Sequence, residues 1–420
     1  MKNDEQIKRF PLKVLLGFLL ITELLFFVGP LKYNIPSTIK LLFFLLIVNV
    51  FFYKGYINGV KKYNCSSCKK VEIPYKLLCI CIIISLCLIP IRLFSLWHIS
   101  PLSPIHIISH LINSIKDPSD FYYERQFFAF SYLDYVLIYI TPVITYLTIS
   151  LIVYWWERMT IWWRFLSLWI LIWELLLPIG VGVRKGIMDL GLTLFFLYVA
   201  KKPYMLFNIL KYKRYVSIGV ILVVLFLYYF IYSNLSRYGV DEVDSILYDS
   251  NIFIIKDSYK DLINPTLLAV ICFVETYLCQ GYYALGNALC SEFVFSYGFG
   301  SSWFGYSLMN MFDINILPYT YIGKLEYIGI DPIINWHSIY TWLASDYTFY
   351  GVPLFMYFVG NFLSITWLDT LYCKNIYAPP TFMFFTIMVF YSFANNQVYS
   401  FAFIPFHLIF FLWLFTRLKK

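Results

Sequence analysis

Charge is scarce in this chain. Only 13% of its 420 residues are charged against 60% hydrophobic, and a water-soluble globule of that composition cannot hide its apolar surface. There is no internal repeat of fixed period, no low-complexity tract and no Gly/Ser-rich linker, which argues against repeat architectures and against transporters built from duplicated halves. Histidine is rare too, with five in all and none in an HExxH pair. The nine cysteines include one CxxC, Cys65 and Cys68 in "KKYNCSSCKK", with no second pair or histidine beside it. A structural zinc site needs four ligands, so no metal and no other cofactor is expected. Cys272, Cys279 and Cys290 leave room for one disulfide but show no disulfide framework.

The sequence is instead built from long apolar blocks. About 20 apolar residues cross a hydrocarbon core of roughly 30 Å as a helix, and a spanning segment must satisfy its own backbone groups. Ten blocks qualify, at 12–29, 36–53, 77–97, 131–154, 160–182, 186–200, 216–233, 347–367, 381–394 and 399–416. The expected fold is an all-α polytopic integral membrane protein with about ten transmembrane helices and one large extracytoplasmic loop. The first block follows "MKNDEQIKRF" without a small-residue cleavage site, so it reads as an uncleaved anchor.

Basic residues set the orientation. Placing the N-terminus, 54–76, 157–164, 201–215, 369–380 and the C-terminal "RLKK" on one side gathers 21 of the 32 there, Lys13 included. The positive-inside rule makes that side the cytoplasm, with both termini on it. Residues 1–233 then hold seven helices, 234–346 the large external loop and 347–420 three more helices. The loop carries 12 of the 24 acidic residues, from Asp241 to Asp346. Within it "TLLAVICFVETYL" (266–278) is apolar but too short to span, so it is expected to lie in the interface or re-enter. The net charge of +8 is explained by this topology. Its partner is the lipid bilayer and no nucleic acid, with Lys61, Lys62, Lys69, Lys70, Lys201, Lys202, Lys211 and Lys213 beside anionic headgroups.

Ionisable groups at membrane depth point to function, because each is costly without a partner or a purpose. In "LLLPIGVGVRKGIMDLGLTLFFLYVAKKP" only 15 residues separate Lys185 from Lys201, about 22 Å of helix. Arg184 and Lys185 then either floor an external recess loosened by Pro178, Gly180, Gly182 and Gly186, or they snorkel, with Lys185 paired to Asp189 one turn on. A recess of that kind suits a pyrophosphate, which guanidinium binds in a fork. Arg92 in "LIPIRLFSLW" has the same two readings, and Glu174 reads as a neutral, hydrogen-bonded helix contact. Arg237 in "SNLSRYG", just outside the seventh block, would be a second anion binder or an arginine beside Asp241 and Glu242. His106 and His110 fall on an amphipathic interfacial helix whose apolar face holds Ile105, Ile108, Leu111, Ile112 and Ile115.

The stretch "NWHSIYTWLASDYTFYGVPLF" (335–355) gathers titratable groups at the edge of a span. In a helix His337, Tyr340 and Thr341 share one face, which is expected to look toward water at the external surface. There His337 could take a proton from a hydroxyl. Asp346 falls on the opposite side of a continuous helix, so a His337–Asp346 catalytic dyad needs a break in it. The alternative makes Asp346 the N-cap of the span that follows.

The order of these features resembles the O-antigen polymerase family, the Wzy-type oligosaccharide repeat-unit polymerases. An early "FFVGPLKYN", the turn "GVRKGIMDLG" opening a span, "SNLSRYG" starting a large loop, "GYYALGNAL" and "GFGSS" within it, and the stretch at 335–355 closing it carry the resemblance. It implies an inverting, metal-independent glycosyltransferase of the GT-C kind at the periplasmic face of a bacterial inner membrane. The substrate would be undecaprenyl-pyrophosphate-linked oligosaccharide, with a chain-length regulator and a flippase as partners. Arg184 and Arg237 would hold the pyrophosphate, with Lys185 and Arg92 in support, while His337, Asp346, Tyr340 and Thr341 would line the acceptor site. Neither arginine is followed by a glycine eleven residues later, where one pattern of the family has one. An O-antigen ligase and a lipid-linked glycan flippase are the alternative readings.

Overall fold

In the computed structural model the described residues are 2–63, 72–118, 120–121, 132–207, scattered positions between 217 and 232, 253–332 and 335–418. In chain order the principal elements are α1 (Lys2–Lys8), α2 (Phe10–Val28), β1 (Leu31–Tyr33), α3 (Thr38–Lys62), α4 (Tyr75–Trp97), α5 (Pro104–Lys116), α6 (Tyr132–Trp155), α7 (Ile161–Gly180) and α8 (Lys185–Lys201). There follow β2 (Phe253–Ile255), α9 (Pro265–Ala288), α10 (Trp303–Asn310), α11 (Ile339–Leu371), α12 (Ala378–Phe390), α13 (Gln397–Phe401) and α14 (Phe403–Leu418). Seven described helices are long and apolar enough to cross a membrane, and two shorter apolar ones follow. The chain is an all-α polytopic membrane protein.

Nine of the ten expected spans coincide with helices, within a few residues at most ends. The block at 216–233 lies largely outside the described residues. Two differences have physical causes. Helix α3 runs on to Lys62 through Gly55 and Gly59, which the sequence reads as an approach to a loop. Those glycines are packing positions: a Cβ would fall 2.0 Å from the Tyr357 carbonyl oxygen at Gly55 and 1.9 Å from Ser364 Oγ at Gly59. Gly360 answers from α11, 2.3 Å from the Phe52 carbonyl oxygen by the same measure. Small residues spaced four apart let two membrane helices touch backbone to backbone.

The second difference is α9, a continuous helix over 265–288 where a 13-residue apolar piece was expected. Its length and composition would let it cross a membrane. Its partners come from two parts of the unit. Glu275 accepts from the Leu31 N–H, Tyr282 meets Thr22 at 2.8 Å and Gly286 faces Ile35, while Gln280 accepts from the Trp336 N–H and Gly281 faces the Phe393 carbonyl and the Ser338 N–H. The strands β1 and β2 pair antiparallel, Leu31 opposite Ile255 and Tyr33 opposite Phe253.

The chain divides into two units. The first comprises Met1–Cys68, Asp244–Leu368 and Phe384–His407, and contains the α2–α3 hairpin, α9 and most of α11. The second comprises Lys69–Val243, Asp369–Met383 and Leu408–Lys420. Its core is a helix cluster in which Leu78, Ile82, Ile89, Leu93 and Trp97 of α4 meet Leu151 and Ile152 of α6 and Ile170, Trp173 and Leu177 of α7. The three-and-four spacing on α4 and α7 puts these side chains on single faces. Helix α5 leaves Ile105, Ile108, Ile112 and Ile115 exposed while Leu111 packs against the cluster, the amphipathic surface helix that the sequence predicts.

Candidate functional site

In the second unit the isolated charges of the spans meet each other. Arg92 of α4 and Glu174 of α7 form a two-pronged ion pair, Nη1 to Oε1 and Nη2 to Oε2, the latter at 3.1 Å. Thr145 of α6 adds a third hydrogen bond to Glu174 at 3.3 Å. The two side chains are 14% and 11% exposed, low enough for an unpartnered charge to be very costly. Glu174 is therefore an ion-pair partner and not a neutral contact, and Arg92 is committed to it. The signal was present in the sequence: each residue stands five or six positions before the C-terminal end of its helix, at matching depth.

Helix α8 opens on Arg184 and Lys185. Lys185 pairs with Asp189, the local reading of the sequence, and Thr193 Oγ1 donates to the Asp189 carbonyl. Arg184 is buried at the N-terminal end of α8, 8% exposed. The Tyr146 phenol of α6 lies within electrostatic reach of both Asp189 and Glu174.

The glycines of the turn before α8 are packing positions and do not merely loosen it. A Cβ on Gly180 would fall 2.2 Å from the Trp97 ring, and one on Gly186 2.4 Å from Pro178 Cγ. Trp97 stacks on His110 at 4.8 Å, its indole N–H donates to the Leu177 carbonyl, and His110 Nε2 bonds the Gly180 carbonyl at 2.8 Å. The glycines serve close packing, and Gly182 alone takes a left-handed conformation, φ 66°.

In the first unit, the start of α11 departs from expectation. His337, Tyr340 and Thr341 do come together, but all three are buried at 1% exposure or less. Tyr340 bonds Ser392 and Thr341 bonds Ser338. His337 Nε2 reaches only the Asp331 carbonyl, at 3.4 Å, and Nδ1 has no hydrogen-bond partner among the described residues. Burial pulls the His337 imidazole down from its usual value to about 4, partly offset by that carbonyl, so at neutral pH the ring is uncharged. The water-facing stripe is thus an interior one.

Asp346 does something else again. Its carboxylate accepts from the Ser296 hydroxyl and from the backbone N–H groups of Gly300 (3.0 Å) and Ser301 (2.8 Å), clamping the loop "SYGFGSS". Asn396 holds the other side of that loop, donating to the Ser301 carbonyl at 2.7 Å. Helix α11 does break, at Thr348, φ 61° and ψ 164°, but two residues beyond Asp346 and not between His337 and Asp346, where a dyad would need it. No hydrogen bond joins Asp346 to His337 in the described structure. Arg237, Cys65 and Cys68 lie outside the described residues. Cys272, Cys279 and Cys290 are free thiols.

The fold and these ion pairs define a multi-pass helical membrane protein with paired charges inside one unit. No protein-family model matches the chain, and no curated protein or solved structure matches it either.

Proposed function

We propose that the chain polymerises lipid-linked oligosaccharide repeat units, passing a growing glycan from undecaprenyl pyrophosphate to the next lipid-linked repeat at the periplasmic face of a bacterial inner membrane. The observation that carries this reading is Arg184, a buried cation at the N-terminal end of α8 in a multi-pass membrane protein. The first N–H groups of a helix hold partial positive charge, and guanidinium stays charged at any physiological pH. Together they favour a phosphate oxygen. In the reaction an acceptor hydroxyl attacks the anomeric carbon, the bond from that carbon to the pyrophosphate oxygen breaks, and the pyrophosphate leaves with the electron pair. The hydroxyl proton passes to solvent or to a carboxylate. Arg184 would stabilise the charge developing on the leaving group.

The remaining roles narrow. Arg92 and Lys185 pair with Glu174 and Asp189, and the reading assigns the phosphate contact to Arg184 for its place at the helix N-terminus, with Arg237 its candidate second. The buried His337, Tyr340 and Thr341 would shape the acceptor site from behind. Asp346 would position the 296–301 loop, beside which Phe293, Phe295 and Tyr297 expose their rings at alternate positions, surfaces on which sugar C–H faces stack.

The test is glycan length on a gel from a strain lacking the chain, complemented with wild type, Arg184→Lys or Arg184→Ala at equal membrane levels. The reading expects single repeat units on lipid core in the deletion, a full ladder with wild type, a shortened one with Lys and none with Ala. Long polymer left on the carrier lipid identifies a ligase instead, and an unchanged ladder overturns the proposal.

A further inference from the structure

At the far end of α8 from Arg184, the second unit has a groove of about 290 Å³ between α6, α7 and α8. Its walls are Ile152, Leu168, Leu171 and Leu194, and its mouth is Lys201 and Lys202 with Trp156 and Tyr198 beside them. We infer that this groove is a binding site for one anionic glycerophospholipid, an acyl chain between the leucines and the phosphate on Lys201 and Lys202.

Three observations select that occupant. Charge at the mouth is lopsided: among the lining residues two lysines, Lys201 and Lys202, face one carboxylate, Glu157, which is 59% exposed. The lysines are held in place, Lys201 by the Val153 carbonyl at 2.8 Å and Lys202 by the Tyr198 ring and Glu157. A second-row arrangement of aromatics at the headgroup level and aliphatics below it matches the amphipathic profile of a lipid and not that of a free phosphate. A zwitterionic lipid would bring an ammonium to the same cations, and a protein segment would find only a chain-width slot.

The site does not rest on the proposed glycosyl transfer and is read by binding alone. Full-length protein in detergent is mixed with phosphatidylglycerol, phosphatidylcholine or inorganic phosphate, and bound lipid is counted by native mass spectrometry. Phosphatidylglycerol should be retained in preference to the other two. Lys201→Gln with Lys202→Gln should weaken it about thirtyfold, taking roughly one ion-pair contribution per lysine. Since Lys201 also ties α8 to α6, Leu194→Trp provides a second route: it fills the slot with both lysines intact and should also release the lipid. Glu157→Gln should act in the opposite direction and tighten binding. Equal retention of phosphatidylcholine, equal uptake of free phosphate, or full retention by both the double-lysine and Leu194→Trp variants would each overturn the inference.

Discussion

The two units hold their low-exposure acids differently. In the second unit three meet a cation: Glu174 has Arg92, Asp189 has Lys185, and Asp369 has Arg417 together with the Trp413 indole. In the first unit three are hydrogen-bonded by neutral donors: Glu23 by the Asn49 amide at 2.8 and 2.9 Å, Glu275 by the Leu31 N–H, and Asp346 by Ser296 and two loop N–H groups. Arg92–Glu174 and Arg417–Asp369 tie one helix to another, since either charge alone is expelled from hydrocarbon, while Lys185–Asp189 lies within α8. Asn49 ties α3 to α2 through Glu23, whereas the backbone donors to Glu275 and Asp346 hold the hairpin end and the 296–301 loop.

The strongest way to break this contrast is the Arg92–Glu174 pair. Arg92→Leu or Glu174→Leu alone should lower unfolding stability by about 3–5 kcal/mol, because each strands a buried charge, while the double substitution should restore most of the loss. Thermal unfolding of the four proteins in one detergent measures the cycle. A double variant as unstable as the sum of the two singles would mean that the residues act separately.

Acid sharpens the comparison from the other unit. The His337 imidazole titrates near 4 in the folded protein against about 6.5 when exposed, so between those values the unfolded chain binds the extra proton. Its contribution is therefore complete above pH 6.5 and is lost as pH falls toward 4, by about 3 kcal/mol at most. The pH slopes of unfolding for wild type and His337→Asn should differ between pH 4 and 6.5 by up to this one proton. Equal slopes in both proteins would place the acid sensitivity elsewhere.

The helices were legible because lipid leaves the backbone few choices: nine of the ten apolar blocks are helices, six of them long and apolar enough to cross a membrane, while α9, which also qualifies, was read as too short. The Lys185–Asp189 pair was legible for the same local reason, four residues on one helix. What composition could not show was burial on the far side of a kink. The sequence at 335–345 reads as an amphipathic helix with a wet polar face, and the polar atoms instead find Ser392, distant in sequence, the Asp331 carbonyl, supplied by the backbone, and the hydroxyl of nearby Ser338. The glycines of the 178–186 turn misled in a related way. A glycine that loosens a turn and one that admits a tryptophan ring look alike until the ring is in place.

The smallest expected effect lies at the break itself. Thr348 is a β-branched residue at φ 61°, ψ 164°, a region essentially reserved for glycine. The break releases α11 from one continuous rod, so that Asp346 can face the Gly300 and Ser301 N–H groups while the helix beyond Thr348 keeps its packing through Gly360 against α3. Both anchors hold the strained residue from either side. Thr348→Gly should then keep the fold and raise stability by about 1 kcal/mol, relief of strain outweighing the added freedom of the unfolded chain. The same substitution with Asp346→Asn should gain less, because the carboxylate that fixes the break has gone. Unfolding midpoints of the single and double variants decide it: a loss of stability in Thr348→Gly would mean that the threonine is not strained, and the loop clamp would need another source of its geometry.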